Sequence, residues 1–322
     1  MLQRYLLARL GQGLLALILL SMVSFALLRI LPGDVALSIL SGGGEGGGRV
    51  PEEALEALRE DLGLHDPIHD QYIDRLLGYA QLDLGESITT GRPISDDLSV
   101  RLPVTLELAA WATVVSLMIG IPAGSISAVF RNSPLDHGTR FVAILGLAIP
   151  NFWLAIVTLL ALVRLFGWIP PLEYSSLTED PWGHFQQMIF PVLILGYGGA
   201  AGISRMFRSS LLEVLSLDYI RTARSKGVRE RSILLGHAFR NAALPTITLV
   251  GIQFASLMGG AVILETIFGL PGVGSGLVSA LRLRDFAVVE VFLLTFGAAV
   301  VLVNLGIDIL YAVLDPRVRL GA

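Results

Sequence analysis

The 322-residue chain has no cysteine, which excludes disulfides and thiolate chemistry. Lysine is almost as scarce. Lys226 stands alone and follows Ser225 in the string RSKG, so the phosphate-binding pattern GxxxxGK[ST] is missing. If ATP powers anything here, another polypeptide must bind it. There is no HExxH either. His65 and His69 stand four apart, but Pro67 between them disfavours helix at Asp66 and so spoils a helical metal pair. His137, His184 and His237 are scattered. Charge is the last shortage: charged residues make up 16% of the chain, against about 25% in a soluble domain.

Hydrophobic residues fill 53% of the sequence, and the mean hydropathy is +0.70. Several apolar runs reach the roughly 20 residues that cross a bilayer. The pattern predicts an all-α integral membrane protein with six spans, near 10–31, 104–130, 140–166, 186–208, 243–268 and 288–314. An even number places both termini on one side. The first run is too long for a signal-peptide core, and no small-x-small cleavage site follows it.

Basic residues fix the expected orientation. Arg4, Arg9, Arg131, Arg140, Arg317 and Arg319 share one side with the crowded loop around 209–242, which has Arg205 and Arg208 at its edge. The other side carries the acidic stretch 32–103. The basic side is therefore expected in the cytoplasm. The implied organisation is a first transmembrane helix (1–31), an extracytoplasmic segment (32–103), a five-helix membrane domain (104–314) and a cytoplasmic tail (315–322).

Within the extracytoplasmic segment, SGGGEGGG at 41–48 reads as a flexible tract. PEEALEALREDLGL after it predicts a short amphipathic helix with Pro51 at its start and Leu55, Leu58 and Leu62 on one stripe. Its two compatible roles are to lie on the ends of the spans and to help receive a partner outside the membrane. Ionisable residues in the spans are few: Glu107 and Glu290 near an interface, Glu265 and Asp308 without an obvious role. Small residues in GYGGAAG (196–202) and MGGA (258–261) allow close helix packing, or a pore lined by backbone and small side chains. Asn151, Gly199, Gly202, Gly259, Gly260 and Glu265 are the candidates for such a path. FGLPGVGSG (268–276) reads as a turn.

The stretch LDYIRTARSKGVRERSILLGHAFRNAALP, residues 217–245, holds the richest concentration of basic charge. A short helix is expected from about Leu217 to Lys226, with Asp218 in its first turn, Arg224 and Lys226 in its last, and Gly227 as a left-handed stop. A second helix should run from about Val228 into the next span. Tyr219, Ile220 and Ala223 form a narrow apolar patch flanked by Arg221 and Arg224. Such a helix is marginal alone in water and needs a surface to dock on. A basic patch there could bind anionic membrane lipid, or the helix could fit a groove on a cytoplasmic partner. Nucleic acid is disfavoured, because the chain is polytopic and carries no nucleic-acid module.

DYIRTARSKG followed by HAFRNAALP resembles the EAA loop of bacterial ABC importer permeases in its peptide/nickel version. LRILPGD (28–34), DLGES (83–87), RLPVTLEL (101–108), LAIPNFW (147–153), ETIFGLPGVG (265–274) and NLGIDILYAVLDPRVR (304–319) resemble the same group in the same order. The chain is most similar to the first of two permeases in a dipeptide or oligopeptide importer. The general consensus has Glu-Ala-Ala ahead of the glycine, where this chain has Arg221, Thr222 and Ala223. The resemblance implies the type I importer fold and no catalysis by this chain. It also implies ATP and magnesium bound on two partner ATPases, a second related permease and an extracytoplasmic substrate-binding protein. It makes Asp218, Tyr219, Ile220, Arg221, Thr222, Ala223, Arg224, Ser225, Lys226 and Gly227 the contact with an ATPase. The alternative from the residues alone is a stand-alone secondary transporter or channel with a lipid-binding loop. An intramembrane enzyme lacks its nucleophile and metal constellations.

Overall fold

The computed structural model describes residues 2–30, 51–61, 65–171 and 173–314. The Gly-rich tract, most of LRILPGD and the tail 315–322 lie outside the described residues, as do the side chains of Arg4, Arg29, Leu58 and Leu62. Among the described residues the regular structure is all helical apart from one isolated β-bridge between Glu86 and Pro93. The helices are α1 (Leu2–Ile30), α2 (Glu52–Asp61), α3 (Ile68–Ala80), α4 (Ile94–Val129), α5 (Pro134–Ala148) and α6 (Asn151–Phe166). They continue as α7 (Pro181–Leu215), α8 (Asp218–Ser225), α9 (Glu230–Phe268), α10 (Val273–Arg282) and α11 (Phe286–Leu314).

Five of these, α1, α4, α7, α9 and α11, are long and apolar enough to span a membrane. The run expected as one span over 140–166 is instead α5 and α6, bent by 99° at their junction. The cause is local. Proline disfavours the helical region for the residue before it, and Ile149 accordingly adopts φ −84° and ψ 120°. Pro150 then opens α6. Pro103, Pro122 and Pro191 sit inside continuous helices. Ser133 and Asp180 cap α5 and α7 at their N-termini, each followed by a proline whose missing N–H costs nothing there.

The pair α4 and α7 forms the spine of the bundle. Gly120 and Gly124 lie one helical turn apart on α4, where any Cβ would sit 2.8 Å from the Ile203 side chain and 2.6 Å from the Ser204 carbonyl oxygen. The absence of side chains lets the two backbones approach closely. Around this spine the core gathers in three places. Val104, Leu108, Leu195 and Leu264 fill the middle. Ile94, Val273, Val288 and Phe292 fill one end, where α10 lies. Ala128, Phe207, Leu211, Ile220 and Ile233 fill the other, where α8 lies.

Two helices are absent from the sequence expectation. α10 occupies most of the supposed turn after Gly269, and α3 lies in the segment between the first two spans. His65 precedes α3 and His69 lies in its first turn, so the two imidazoles do not share a helix. Two acids left open by sequence have partners. Asp308 pairs with Arg9 of α1 at 3.1 Å. Glu107 lies 2.9 Å from Nε2 of buried His184, whose Nδ1 lies 3.0 Å from the Ser175 carbonyl oxygen. With Gln187 donating to the Pro171 carbonyl, this fastens the loop between α6 and α7.

Candidate functional site

α8 begins with Leu217 in extended conformation and carries Asp218 in its first turn. It stops at Lys226, and Gly227 takes φ +76° as the sequence predicts. The Gly227 N–H donates to the Arg224 carbonyl at 2.9 Å, and the Val228 N–H to the Ala223 carbonyl at 3.2 Å. This paired 5→2 and 6→1 arrangement is a Schellman motif, and it depends on a left-handed residue. Glycine reaches that region without penalty.

The apolar patch of α8 faces the other way from expectation. Ile220 is fully buried against Phe207, Leu211, Val214 and Ala128, with Ala223 packed at the edge of the same cluster. It cannot be an anchor offered to a partner, because the helix uses it to hold its own bundle. Tyr219 is 43% exposed and accepts a hydrogen bond from Asn241 Nδ2 at 2.9 Å. The outward surface comprises Asp218, Tyr219, Arg221, Thr222, Ser225 and Lys226, with Gly227 at its end.

The charges are not equivalent. Arg224 grips Glu230 at the start of α9 with two hydrogen bonds, 3.1 Å from Nε and 2.6 Å from Nη2. Those bonds raise the guanidinium above its already high range. Arg221 pairs with exposed Asp218, at 3.2 Å, within its own helix. Arg224 therefore braces the loop while remaining partly exposed, and Arg221 and Lys226 are exposed beside it. Just beyond, Ile233–Ala238 forms a π-helical turn in α9, a widening of the helix often found at functional sites.

Behind α8 lies a polar clamp that sequence reading misses. Asp136 of α5 is wholly buried and accepts from Arg208 of α7, from the Ser127 hydroxyl at 2.5 Å and from the Asn132 N–H at 3.0 Å. Arg208, counted from the sequence as loop charge, is turned into the protein. Its chain neighbour Phe207, together with Leu211, is the surface on which Ile220 rests. Ser127, Asp136 and Arg208 have no sequence spacing that could announce the clamp.

The six path candidates separate. Gly199 and Gly202 lie at the α7 midpoint beside Gln253 of α9, which donates to the Gly199 carbonyl at 3.1 Å. Asn151 joins them, its amide facing Gly198. Ser116 completes the group, donating to the Gly196 carbonyl at 2.9 Å; the sequence announces neither Ser116 nor Gln253. Gly259 and Gly260 lie apart on an open face of α9, where a Cβ would meet no atom within 4 Å. Glu265 is fully buried at the α10 end. It accepts from the Thr105 hydroxyl at 2.7 Å and from the Ser275 N–H at 2.9 Å. A carboxylate at the N-terminus of α10 balances the partial positive charge of that helix. Glu265 is thus a fastening between α9 and α10, removed from the path group.

At the same end lies Asp285, which sequence reading also misses. It accepts from the Ser87 hydroxyl at 2.6 Å and the Thr89 N–H at 3.2 Å, and it caps α11 through the Val288 N–H at 3.3 Å. The DLGES stretch is therefore tied to the start of the last span.

Residues 120–320 match the family model described as binding-protein-dependent transport system inner membrane component. Residues 1–109 match the model for the N-terminal part of such a membrane component. A putative peptide transport system permease protein of Brucella melitensis is 40% identical over 99% of both chains. The oligopeptide transport system permease protein AppB of Bacillus subtilis is 37% identical over 93% of this chain and 94% of its own. The glutathione transport system permease protein GsiC of Escherichia coli is 35% identical over 98% of both. In three dimensions, a chain of the MetNI methionine ABC transporter in an inward-facing conformation superposes with a TM-score of 0.53. That match covers 68% of this chain and 96% of the other at 18% identity, a likeness of fold.

Proposed function

The chain belongs to the binding-protein-dependent transport system inner membrane components, and from that membership we propose that it is one permease of an ATP-driven importer of di- or oligopeptides. The peptide assignment draws on the names of its full-length relatives. The glutathione permease among them is also consistent with a small peptide-like solute.

The observation that carries the coupling role is the construction of α8. Its apolar side is sunk into the bundle through Ile220, its end is locked at Gly227, and its polar side is left outward. A helix built this way transmits force between whatever touches its outer face and the packed ends of α4, α7 and α9. In this reading the outer face meets a separate ATPase subunit that binds ATP and magnesium. A second ATPase serves a second, homologous permease, and an extracytoplasmic binding protein delivers the solute. Both termini and the 209–242 loop lie in the cytoplasm, and 32–103 lies outside. The chain conducts by alternating access between packed states and performs no chemistry itself.

The open face of α9 around Gly259 and Gly260 suits the second permease or the solute path. The test is reconstitution of the chain with its operon partners in proteoliposomes. ATP enclosed with the ATPases and binding protein added outside should drive uptake of labelled dipeptide, with glutathione as the competing arm. Uptake by the chain alone, independent of ATP, would instead establish a stand-alone transporter.

A further inference from the structure

A cavity of about 550 Å³ lies between α1, α3, α11 and the start of α4. Leu14, Leu17, Ile18, Leu76, Leu294 and Ala298 form most of its wall. Its hydroxyls are nearly all occupied. Ser21 donates to the Ile18 carbonyl at 2.8 Å and lies 2.9 Å from the Tyr72 hydroxyl, and Thr295 donates to the Val291 carbonyl at 2.8 Å. Water entering such a space would find few partners, and apolar cavities of this kind stay dry.

The surroundings supply hydrocarbon instead. The α1 and α11 walls fall within the apolar runs Leu7–Leu27 and Phe286–Ile309. The lining runs from Leu14 to Ser21 on one helix and from Val291 to Ala298 on the other, about 10 Å of depth along each. The cavity is open sideways, because two of its lining residues, Leu14 and Leu82, remain 61% and 85% exposed.

The cavity is also polar at one end only. Tyr79 lines it towards the α10 end, with Arg75 and Glu290 close enough to act on its hydroxyl. Glu290 is buried, whereas Arg75 is partly exposed one helical turn before Tyr79, so Arg75 is the charged group that can be reached from outside at this end. An apolar shaft parallel to the spans with a cation at its mouth has the polarity of a phospholipid. We propose that the cavity is a lipid site in which one acyl chain of a glycerophospholipid fills the shaft and the phosphate sits at Arg75. This rests on the membrane-spanning assignment and is independent of the transported solute. The lipid would join α3 to α1 and α11, filling a gap that the protein leaves in its own packing.

The test uses the full transporter complex in nanodiscs of phosphatidylglycerol doped with a phospholipid carrying a diazirine on its acyl chain. After irradiation, labelled peptides are mapped by mass spectrometry. Label should concentrate on residues 72–84 and 291–298, above the level on the lipid-facing surface of α6 around Trp153 and Leu160. Ala298→Phe and Leu17→Phe, two independent ways to fill the shaft, should each lower that label about tenfold, the factor for displacing roughly two methylene groups. Arg75→Gln should reduce phospholipid retained through detergent washing, while an uncharged diacylglycerol probe still labels the same peptides. Cavity label no higher than on α6, or unchanged in both filled variants, overturns the proposal. So does a photocrosslinker at Leu76 that captures residues 31–50 of the chain or the second permease in place of lipid. Uptake is not read, so a failed transport assay and a failed lipid assay are told apart.

Discussion

Arg208 holds the buried carboxylate of Asp136 with two hydrogen bonds, 3.0 Å from Nε and 2.9 Å from Nη2. The pair joins α7 to the first turn of α5, behind the cluster that seats α8. Breaking one partner of a buried pair leaves a charge stranded. Arg208→Met is therefore expected to destabilise the protein by about 3 kcal/mol or more. The double variant Arg208→Met with Asp136→Leu should recover much of that loss. Thermal unfolding followed by size-exclusion chromatography distinguishes the two, and equal loss in single and double variants would count against the clamp.

Gly227 is held at φ +76° by the two terminal hydrogen bonds of α8. A β-branched residue resists that region at a cost of about 1–2 kcal/mol. Gly227→Val should let ATP hydrolysis continue while uptake falls, because the helix end is no longer fixed. Gly227→Asn, which tolerates the left-handed region, should keep most uptake. Parallel ATPase and uptake assays on the assembled complex check this, and full coupling in the valine variant would reject it.

The two sides of α8 should respond differently to substitution. Ile220→Ala empties a fully buried position and should cost about 2–5 kcal/mol of stability. Arg221→Glu and Lys226→Glu alter the outward face and should leave stability within about 0.5 kcal/mol. They should, however, weaken co-purification of the ATPase, more so at low salt. Arg224→Glu belongs to neither class, since it sets two acids against each other at Glu230 and should loosen the loop itself. A pull-down across a salt series, paired with thermal unfolding, separates these outcomes.

Glu265→Ala removes the acceptor for the Thr105 hydroxyl and the Ser275 N–H. α10 should then exchange its amide hydrogens faster across residues 273–282. Glu265→Gln, keeping one acceptor oxygen, should have the smaller effect. Unchanged exchange in the alanine variant would show that other contacts hold α10 in place.

Much of this architecture is legible because membranes impose it. Long apolar runs become α1, α4, α7, α9 and α11, and the glycine after Lys226 ends α8 where its conformational freedom predicts. The bend at Pro150 is hidden inside the single run near 140–166, because hydropathy records composition and is blind to direction. α10 passes for a turn since its glycines look like punctuation, although Glu265 supplies the N-terminal acceptor from another helix. Ile220 reads as a partner's anchor for a related reason. An apolar residue on a short helix must be buried, but sequence does not say in whose core. Asp136, Arg208, Gln253 and Asp285 escape notice because their roles arise from distant residues, such as Ser87 for Asp285 and Gly199 for Gln253.

The 99° bend between α5 and α6 also bears on how the bundle moves. Both arms are attached to α7: Tyr197 donates to the Val142 carbonyl on one at 2.8 Å, and Gly198 meets Asn151 on the other. An elbow held at both arms has little freedom of its own. Each arm has a second hold as well, α5 on α4 and α6 on α9, so the corner at Pro150 knits three of the long helices together instead of serving as a free hinge.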